Sequence, residues 1–487
     1  MDLMPSVPVA TATQQPLGSP LFTLSRRAPV RCTPDTPLAE VVDLMKAQDV
    51  GSMLVCDSDD RPLGIFTLYD LLRNVPLETA ALARPVAEVM RPGVIGLSPD
   101  APAFEAALAM EQNRIRHVAL VRDGKLVGVV SERDLFTLQQ IGLRAIGSNI
   151  RQATTIDEVV QVSGDIRQLA QGMVDQGIGA EQITRFISTL NDMLTARIID
   201  IEFEHVASDG VQWCWMAMGS EGRFEQTLYT DQDNGIIFSH PEGATAEDTR
   251  QRFLPVAQRI NQHLARCGFS LCKGGIMAGN PQWCLSLEEW KNRFATWIHR
   301  GSAPELLNAT IFFDFRALHG AEHLVEELRG SLDGLVRVNR LFLKKMAENA
   351  LGNRPPLGFF RDFTVQSADG DEPPSIDLKV NGVAIFVDAA RIFGLSAQVH
   401  ETSTVHRFAK SAGKLGLAPA RIEGWTDALH HIQQLRLRQH RKQLLLNVPS
   451  SNRINPYSLN HLDRRFLKEA LKQARDVQGF LEKYYRF

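Results

Sequence analysis

The stretch GSEGRFEQTLYTDQDNGIIF, residues 219–238, decides how the middle of this chain folds. It places a Gly-Ser pair about eleven residues ahead of Asp231 and Asp233, which lead into an apolar run typical of a buried strand. Burying an ionised carboxylate alone is costly, so each aspartate must be exposed, paired or bound to a metal. Residues two apart on a strand point to the same side, and we therefore expect the two carboxylates to share one face.

The residues on both sides of the Gly-Ser pair predict a strand, a tight turn and a short helix. WCWMAM, residues 213–218, has the composition of a buried strand, and residues 224–228 predict the helix. Gly219 allows the backbone to approach a ligand closely, and the Ser220 hydroxyl with neighbouring N–H groups can hold a phosphate. Two carboxylates on one face suit Mg²⁺, which binds one or two carboxylates together with substrate phosphates.

A third aspartate, Asp314, lies in ATIFFDFRALHG, residues 309–320. The apolar residues around it predict a strand, on which Arg316 would lie on the same face two residues away. A carboxylate inside such a strand needs a partner. That partner is either Arg316 or a metal shared with Asp231 and Asp233.

The composition is that of an ordinary globular protein with several domains. With 487 residues, the chain is long enough for about three of them. Hydrophobic residues make up 44% and charged residues 22%, enough for a substantial core. The formal net charge of -3 argues against a general nucleic-acid binder, because such domains usually carry a strongly basic face.

The cysteines and the apolar segments indicate where the protein works. Cys267, Cys272 and Cys284 lie close enough to consider zinc, but no second pair follows at zinc-site spacing, so reduced thiols are expected. No apolar run reaches the roughly 18 to 20 residues of a spanning helix. Residues 1–21 lack the basic and apolar regions of a signal peptide and are interpreted as a disordered tail. These features predict a cytoplasmic protein without a membrane partner.

Two segments in the first third repeat each other at a spacing of about 64 residues. Each begins with Thr/Ser-Pro-Asp, which can cap the following amphipathic helix, and continues with a strand, a charged turn and a second strand. One repeat ends in Thr67 and Asp70, the other in Ser131 and Asp134, at strand-to-helix junctions whose N–H groups and hydroxyl suit a phosphate. Each aspartate can accept hydrogen bonds from ribose. The alternative is a capping box that binds no ligand.

Residues 22–142 resemble a tandem pair of CBS (cystathionine-β-synthase-type) domains, because GIFTLYD and GVVSERD match that family's adenosine-phosphate signature. The resemblance implies an adenine nucleotide effector bound between the repeats. It also implies a homodimer, since CBS pairs commonly dimerise face to face. The residues that would contact the effector are Thr67, Asp70, Ser131 and Asp134.

Helical periodicity dominates two further segments. Residues 143–206 predict helices that connect the repeats to the segment with the aspartates, and residues 323–487 are mostly helical. Within the latter, LHHIQQLRLRQHRKQLLL carries a basic run that predicts a solvated helix face. The alternative is that Arg436, Arg438 and His440 line a cleft facing phosphates or an acidic acceptor.

Together, the strand, the Gly-Ser turn, the short helix, the Asp-x-Asp pair and the later aspartate match the core pattern of the nucleotidyltransferase superfamily. GSEGRFEQTLYTDQDNGIIF, CKGGIMAGNPQWCLSLEEW and IFFDFRALHG resemble the nucleotidyltransferase family related to PII-protein uridylyltransferase and glutamine-synthetase adenylyltransferase. Members typically carry CBS pairs upstream. SIDLKVNGVAIFVDAARIFGL, TSTVHRF, LRLRQHRKQL and NRINPYSL resemble that family's helical substrate-binding domain.

The resemblance implies a role for each residue that matches the family's pattern. The nucleotide-binding residues would be Gly219, Ser220 and Arg223. The catalytic and Mg²⁺-binding residues would be Asp231, Asp233 and Asp314, with Asp314 activating the acceptor. The loop at 274–280 would border the nucleotide, and Glu225 would support the short helix.

The implied activity is transfer of NMP from an NTP to an acceptor hydroxyl, on a protein or a small molecule, under control of the CBS pair. The chain has no His-Asp dipeptide of the kind that PII uridylyltransferase uses for the reverse reaction, which argues against PII as the acceptor. The alternative function is that of a catalytically silent regulatory protein that senses nucleotide and binds NTP without transferring it.

The sequence therefore predicts a multidomain fold of the α/β plus α class. Its parts are a disordered tail at 1–21, a tandem CBS pair at 22–142, a helical connector at 143–206, a nucleotidyltransferase α/β core with a mixed sheet at 207–322, and a helical substrate-binding domain at 323–487. The connector, by its position, is expected to couple the CBS pair to the core.

Overall fold

The computed structural model describes residues 20–485 except 26–27, 49, 69, 72–81, 114, 137–141, 205, 207–209, 241–242, 244, 301–309, 359–362 and 366–373. The chain divides into two compact units, Met1–Gly147 and Ser148–Phe487. Apart from residues 20 and 21, the predicted N-terminal tail lies outside the described residues.

The first unit contains two similar α/β halves. Its described strands are β1 (Arg31–Cys32), β2 (Ser52–Cys56), β3 (Pro62–Thr67), β4 (Arg91–Pro92), β5 (Gly96–Leu97), β6 (His117–Arg122) and β7 (Lys125–Ser131). Its described helices are α1 (Leu38–Ala47), α2 (Ala103–Asn113), α3 (Glu132–Phe136) and α4 (Gly142–Gln152), and α4 continues into the second unit. The sheets run β1-β2-β3-β4 and β5-β6-β7, and each mixes parallel with antiparallel pairs.

The structure confirms the internal repeat. In each half a helix precedes an antiparallel pair of strands, with Ser52 opposite Thr67 in one and His117 opposite Ser131 in the other. Thr67 and Ser131 therefore end equivalent strands. The halves share a small apolar cluster formed by Leu54, Cys56, Ala119 and Leu126.

The second unit begins with two long helices, α5 (Ile156–Asp175) and α6 (Ala180–Phe203), which pack against each other. A capping box starts α5: the Thr155 hydroxyl accepts from the Glu158 N–H, and the Glu158 carboxylate accepts from the Thr155 N–H. These helices are the predicted connector, and from residue 148 onward it belongs to the second unit rather than forming a separate body.

A mixed sheet lies at the centre of the second unit. Its strands are β8 (Trp213–Ala217), β10 (Asn234–Phe238), β12 (Cys284–Ser286) and β13 (Arg316–Gly320), in the order β12-β10-β8-β13. The elements between them are α7 (Gly219–Gly222), β9 (Thr230–Asp231), α8 (Ala246–Arg266), β11 (Phe269–Ser270) and α9 (Leu287–Arg300). Ile236, Ile237 and Phe238 are fully buried, as the apolar run predicts.

Two local predictions are wrong. Residues 224–228 are not helical: Phe224 has φ of 59°, in the left-handed region, and the short helix is α7 instead. Residues 310–314 form a 3₁₀ turn, and the strand begins only at Arg316. The aromatic residues beside Asp314, namely Phe312, Phe313 and Phe315, are all buried.

The C-terminal part is helical. Its described helices are α10 (Glu322–Val338), α11 (Arg340–Leu351), α12 (Ala384–Ala397), α13 (Thr404–Leu415), α14 (Pro419–Leu446) and α15 (His461–Tyr485), with a π-helical turn at Lys379–Val383 and a small pair of strands, β14 (Ile376–Asp377) and β15 (Arg453–Ile454). One continuous apolar core runs from Met216 and Phe313 to Trp425 and Leu471. The sheet and these helices therefore form a single packed body.

By length and composition, the segment Lys379–Ala397 is apolar enough to cross a membrane, with a mean hydropathy of 1.4. In the structure, 67% of it is buried, and Phe386 and Ile392 pack in the apolar core of the second unit. Burial among other helices accounts for its composition, and we interpret it as a core helix.

Candidate active site

The Gly-Ser turn and the Asp-x-Asp pair meet at one edge of the sheet. β8 and β10 are antiparallel neighbours, with Ala217 opposite Asn234, so the end of one strand lies beside the start of the other. The Met218 N–H, immediately after β8, donates to the Asp233 carbonyl at 2.8 Å. Residues that follow β8 and residues that precede β10 are therefore adjacent.

This edge opens into a cleft of about 230 Å³ within the second unit. Five residues predicted from the sequence line it: Gly219, Ser220, Arg223, Asp231 and Asp233. The C-terminal helices supply further polar residues of the wall: Lys379, Asp388, Arg391, Gln433 and Arg436. The predicted core and the predicted substrate-binding domain thus share one cleft.

Gly219 occupies a position that excludes any larger residue. Its φ is 56°, a conformation that L side chains rarely adopt. A Cβ at this position would lie 2.6 Å from Asp233 Oδ2 and 2.9 Å from Ile311 Cδ1. The glycine therefore allows the turn to pack directly against the Asp233 carboxylate.

The two carboxylates of the Asp-x-Asp pair have different environments. Asp233 is 8% exposed, and burial raises its pKa to about 6, although Lys379 and a hydrogen bond from the Cys272 thiol act in the opposite direction. Asp231 is half-exposed, and the Lys379 ammonium lies 3.2 Å from its Oδ2. The intervening Gln232 is fully buried and donates to the Asn261 and Phe269 carbonyls, so it does not line the cleft.

The donor set of the cleft suits a hard cation bound jointly with a ligand. Asp231 and Asp233 offer two carboxylates in one cleft, the number that Mg²⁺ takes when phosphates complete its coordination. A buried carboxylate with a raised pKa, and a lysine ammonium beside its neighbour, both indicate a place where positive charge is favoured. Among the described residues, no group of three His, Cys, Asp or Glu forms a self-sufficient metal site, and this includes the three cysteines considered for zinc.

The structure contradicts the prediction that Asp314 is a third metal ligand. Both of its carboxylate oxygens accept hydrogen bonds from arginines: Arg223 and Arg391 contact Oδ2 at 2.6 Å, and Arg391 Nε and Arg407 contact Oδ1. Burial alone would raise the pKa of Asp314, but the three guanidiniums more than offset it and hold the pKa well below its usual range. A metal ion would have to displace these arginines and add a fourth cation. The predicted partner Arg316 instead binds Asp192.

Arg223 is also less available than the resemblance implied. Its Nε donates to Glu225 at 2.8 Å and its Nη1 donates to Asp314 at 2.6 Å. Two carboxylates therefore balance its charge, although the side chain lines the cleft. Glu225 holds the C-terminal helices as well, because its second oxygen accepts from the Thr404 N–H at 3.0 Å. These contacts indicate that Arg223 joins the sheet to α13 and does not offer a free charge to phosphate.

Sequence reasoning missed the part of the cleft that the C-terminal helices form. Asp388 is a carboxylate of the cleft that these helices supply; burial raises its pKa, and Arg391 Nη1 binds it at 2.6 Å. Lys379, Asp388 and Arg391 are charged residues in an otherwise apolar segment, a signal that could have drawn attention to them. Arg436 lies in the basic run of α14. The prediction that this run forms a solvated helix face is only partly correct, because Arg436 is buried.

The basic run of α14 divides between cleft, core and solvent. Arg436 is 7% exposed and lines the cleft, whereas Arg438 is half-exposed and lies 3.4 Å from Asp463. His440 is buried, and its ring lies edge-on to the Tyr229 ring at 5.2 Å between centroids. The loop at 274–280 packs against Asn234, whose Oδ1 accepts from the Ala278 N–H, and its place beside the nucleotide stays a prediction.

Helix α6 supports the segment that carries the Gly-Ser turn. The Ser188 hydroxyl accepts from the Gln226 N–H, and the Asn191 amide donates to the Gln226 side chain, both at 3.1 Å. Arg316 Nη2 donates to Asp192 at 2.8 Å and to the Glu221 carbonyl at 2.9 Å. The connector therefore holds the Gly-Ser segment through specific polar contacts.

The four predicted CBS ligand residues form the capping arrangement that was the alternative interpretation. Asp70 Oδ2 accepts from the Thr67 hydroxyl at 2.6 Å, and Asp134 Oδ2 accepts from the Ser131 hydroxyl at 2.5 Å. Asp70 also accepts from Arg91 Nε at 2.7 Å. The same groups that cap the helix can turn to a ribose or a phosphate, so the geometry is compatible with both interpretations.

Three family models match the chain. "Putative nucleotidyltransferase DUF294" matches residues 164–304, "Putative nucleotidyltransferase substrate binding domain" matches residues 340–485, and "CBS domain" matches residues 22–77 and 86–140. The first match contains the Gly-Ser turn and the Asp-x-Asp pair, and the second contains the cleft residues of the C-terminal helices.

Curated proteins match parts of the chain. An "Uncharacterized 17.7 kDa protein in bps2 3'region" of Acidianus ambivalens is 34% identical over 103 residues, covering 21% of this chain and 62% of that protein. An "Uncharacterized 33.4 kDa protein in ribosomal RNA operon" of Thermofilum pendens is 30% identical over 178 residues, covering 32% of this chain and 58% of that protein. The chain thus spans about 60% of the length of these two relatives.

Solved structures match about a quarter of the chain. A CBS-domain containing protein from Agrobacterium tumefaciens is 28% identical, covers 24% of this chain and 96% of its own, and has a TM-score of 0.23. A CBS domain protein from Pyrobaculum aerophilum, solved in complex with AMP, is 29% identical. The match covers 24% of this chain and 88% of that protein, with a TM-score of 0.22.

Proposed function

Since this chain carries a CBS domain pair, a DUF294 nucleotidyltransferase domain and the substrate-binding domain of that family, we propose that it transfers NMP from an NTP to an acceptor hydroxyl. The observation that carries this proposal is the convergence of the Gly-Ser turn with Asp231 and Asp233 in one cleft. The acceptor is a hydroxyl on a protein or a small molecule that reaches the same cleft.

We propose Mg²⁺ as the cofactor, held by Asp231 and Asp233 together with the nucleotide phosphates. When bound, the ion would neutralise phosphate charge and stabilise the attacking and leaving oxygens. The chain's own contribution is to hold two carboxylates side by side. Asp233 is fixed by burial and by its contact with Gly219, whereas Asp231 is half-exposed and can turn towards the ligand.

The proposed reaction forms one bond and breaks one. The acceptor oxygen attacks the α-phosphorus, the bond from that phosphorus to the β-phosphate oxygen breaks, and pyrophosphate leaves with the electron pair. The acceptor proton needs a base. Two further carboxylates line the cleft, and both oxygens of Glu225 are already bound by Arg223 and the Thr404 N–H. We therefore assign this task to Asp388, whose pKa is raised by burial.

We further propose that the CBS pair binds an adenine nucleotide through Thr67, Asp70, Ser131 and Asp134. Each hydroxyl ends a strand and each carboxylate follows it, and the capping contacts that now hold them would open so that these groups bind the ligand instead. The homodimer, the cytoplasmic location and the absence of a nucleic-acid partner stay predictions.

Labelling in a cell extract tests the proposed activity, because the extract offers many possible acceptors at once. Each of the four α-³²P-labelled NTPs is incubated with Mg²⁺, the protein and an extract of the source cells. We expect a labelled species with the wild type and none with the Asp231→Ala, Asp233→Ala double variant. The matched control is Glu423→Ala with Asp427→Ala, two carboxylates on α14 that do not line the cleft.

The same experiment separates the enzyme from a silent regulator. Labelling that survives in the Asp231, Asp233 double variant contradicts the proposed site. If the wild type binds NTP through these two aspartates and labels nothing in the extract, the alternative of a nucleotide-sensing regulatory protein is favoured.

A further inference from the structure

The C-terminal helices contribute a cationic part of the cleft wall. Arg436 and Gln433, one helical turn apart on α14, both line the cleft and are 7% and 3% exposed. Lys379, at the start of the π-helical turn, lines it as well. These residues come from elements some 140 to 200 positions beyond the Asp-x-Asp pair along the chain.

Arg436 differs from the other buried arginines near the cleft because no described carboxylate pairs with it. Arg223, Arg391 and Arg407 all contact Asp314. Arg436 donates from Nε to Asn452 Oδ1 at 3.0 Å, and in the described part of the chain no carboxylate lies within ion-pair distance of it. Burial lowers its pKa to about 10, against the attraction of more distant carboxylates. Burying a cation without a counter-charge costs free energy, and an anion that enters the cleft beside Arg436 would offset this cost.

Lys379 is held so that its ammonium reaches the same place. The Lys379 and Val380 N–H groups both donate to Asp377 Oδ1 at 2.9 Å, and the Asn353 amide donates to the Val380 carbonyl. These contacts fix a π-helical turn, a form often found at functional sites. The ammonium lies 3.2 Å from Asp231 Oδ2, and the side chain is half-exposed, so it can leave Asp231 for another anion.

We infer that Arg436 and Lys379 bind the β- and γ-phosphates of the NTP, the part that leaves as pyrophosphate. This inference rests on the proposed function. An anion that contacts Lys379 must lie beside Asp231, where the nucleotide phosphates would meet the cation. Pyrophosphate gains negative charge as the bond to the α-phosphorus breaks, and a fixed guanidinium stabilises that charge. The second phosphate-binding element of the site is therefore this wall, in place of the charge-balanced Arg223.

Pyrophosphate is the probe, because it is the part of the NTP that Arg436 and Lys379 are inferred to bind. Its binding to the full-length protein with Mg²⁺ is measured by calorimetry, and its ability to displace a fluorescent NTP is measured in parallel. We expect Arg436→Gln and Lys379→Gln each to weaken pyrophosphate binding about tenfold or more, as for a lost charge-assisted hydrogen bond. The matched control, Arg438→Gln, removes a half-exposed arginine two residues along α14 and should bind as the wild type does.

Several outcomes would overturn the inference. If both variants bind pyrophosphate with wild-type affinity, neither residue binds phosphate. If Arg436→Gln fails to fold, the result for Lys379→Gln, a change at a half-exposed position, tests the inference. Pyrophosphate that binds through Arg436 without displacing the NTP would assign the wall to an anionic acceptor instead. If NTP binding is lost in the Asp231, Asp233 double variant but kept in Arg436→Gln and Lys379→Gln, only this inference is overturned. If the wild type itself does not bind NTP, the proposed function is overturned.

Discussion

At the scale of single residues, Asp314 has the least expected surroundings. It is fully buried, and its two oxygens bind three guanidiniums that come from the Gly-Ser segment and from two C-terminal helices. A carboxylate in this position joins elements that are far apart along the chain and balances charge that the core could not otherwise hold.

We expect Asp314→Asn to lower the free energy of unfolding by roughly 3–5 kcal/mol, because three buried guanidiniums lose their shared counter-charge. Urea unfolding at neutral pH measures the change. The control is Glu469→Gln, which removes a 57% exposed partner of Lys472 and should cost no more than about 1 kcal/mol. Equal losses in the two variants would contradict the structural importance assigned to Asp314.

His440 should make stability depend on pH. Burial lowers its pKa to about 3, Arg436 and Lys379 act in the same direction, and its Nδ1 has no hydrogen-bond partner among the described residues. The unfolded chain therefore takes up a proton near pH 6.5 that the folded chain refuses, so this contribution to stability is lost as pH falls from about 6.5 towards 3. By about pH 5 the loss from this group is about 2 kcal/mol.

Unfolding free energies at about pH 7 and pH 5 check this expectation. His440→Gln should show a smaller decrease between the two pH values than the wild type. His461→Gln, which changes an exposed histidine, should keep the wild-type decrease. If His440→Gln loses as much as the wild type, His440 titrates normally in the folded protein.

Gly219→Ala should reduce NMP transfer much more than stability. Its Cβ would press on Asp233 Oδ2, and the backbone would keep a φ of 56°, at a cost of about 1 kcal/mol. Transfer rates and unfolding curves are compared with Gly164→Ala, an exposed position in α5 with no described atom within 4 Å of the added Cβ. That control should be slightly stabilising, by about 0.5–1 kcal/mol, since alanine suits a helix interior. Full activity in Gly219→Ala would mean that the turn need not touch Asp233.

At the scale of elements, α6 does more than separate the domains. Three residues within two turns of this helix make polar contacts with the site. Ser188 and Asn191 contact Gln226, in the segment between β8 and β9. Asp192 binds Arg316, which also donates to the Glu221 carbonyl of that segment. Any shift of α6 along its axis would break several of these bonds together. The connector is therefore placed to influence the cleft from outside it.

Asp192→Asn should weaken NTP binding and lower stability by roughly 3 kcal/mol, because Arg316 is left partly buried without its counter-charge. NTP titration and urea unfolding measure the two effects. The control is Asp200→Asn, because Asp200 lies on the same helix and is 45% exposed. This change should lower the free energy of unfolding by about 1 kcal/mol or less and leave the affinity for NTP unchanged. A normal NTP affinity in Asp192→Asn would contradict the supporting function of α6.

At the scale of the whole molecule, the chain divides into two compact units. The connector, the sheet and the C-terminal helices belong to one unit, in which the sheet and the C-terminal helices share an apolar core, and the CBS pair belongs to the other. The cleft belongs wholly to the larger unit.

Adenine nucleotide should stabilise the whole protein through the CBS unit. AMP at about one hundred times its Kd would add about 2.7 kcal/mol and raise the unfolding temperature. The Asp70→Asn, Asp134→Asn double variant should lose this shift, whereas Asp59→Asn with Asp100→Asn, two exposed residues of the same unit, should keep it. A shift that survives in the first pair would mean that AMP binds elsewhere.

The sequence by itself determined the repeat, the strands β8 and β10, and the presence of Gly219, Asp231 and Asp233 at one sheet edge. The repeat, the strands and the glycine turn follow from local periodicity and from glycine's conformational freedom, which act over a few residues. Asp231 lies in β9 and Asp233 precedes β10, so the expectation that both lie on one strand is wrong. Tertiary structure alone decided the partners of Asp314 and Arg223, the place of Asp388, and the burial of Arg436. Each of these depends on which distant side chains share a low-dielectric interior, and no local pattern records the other half of such a pair.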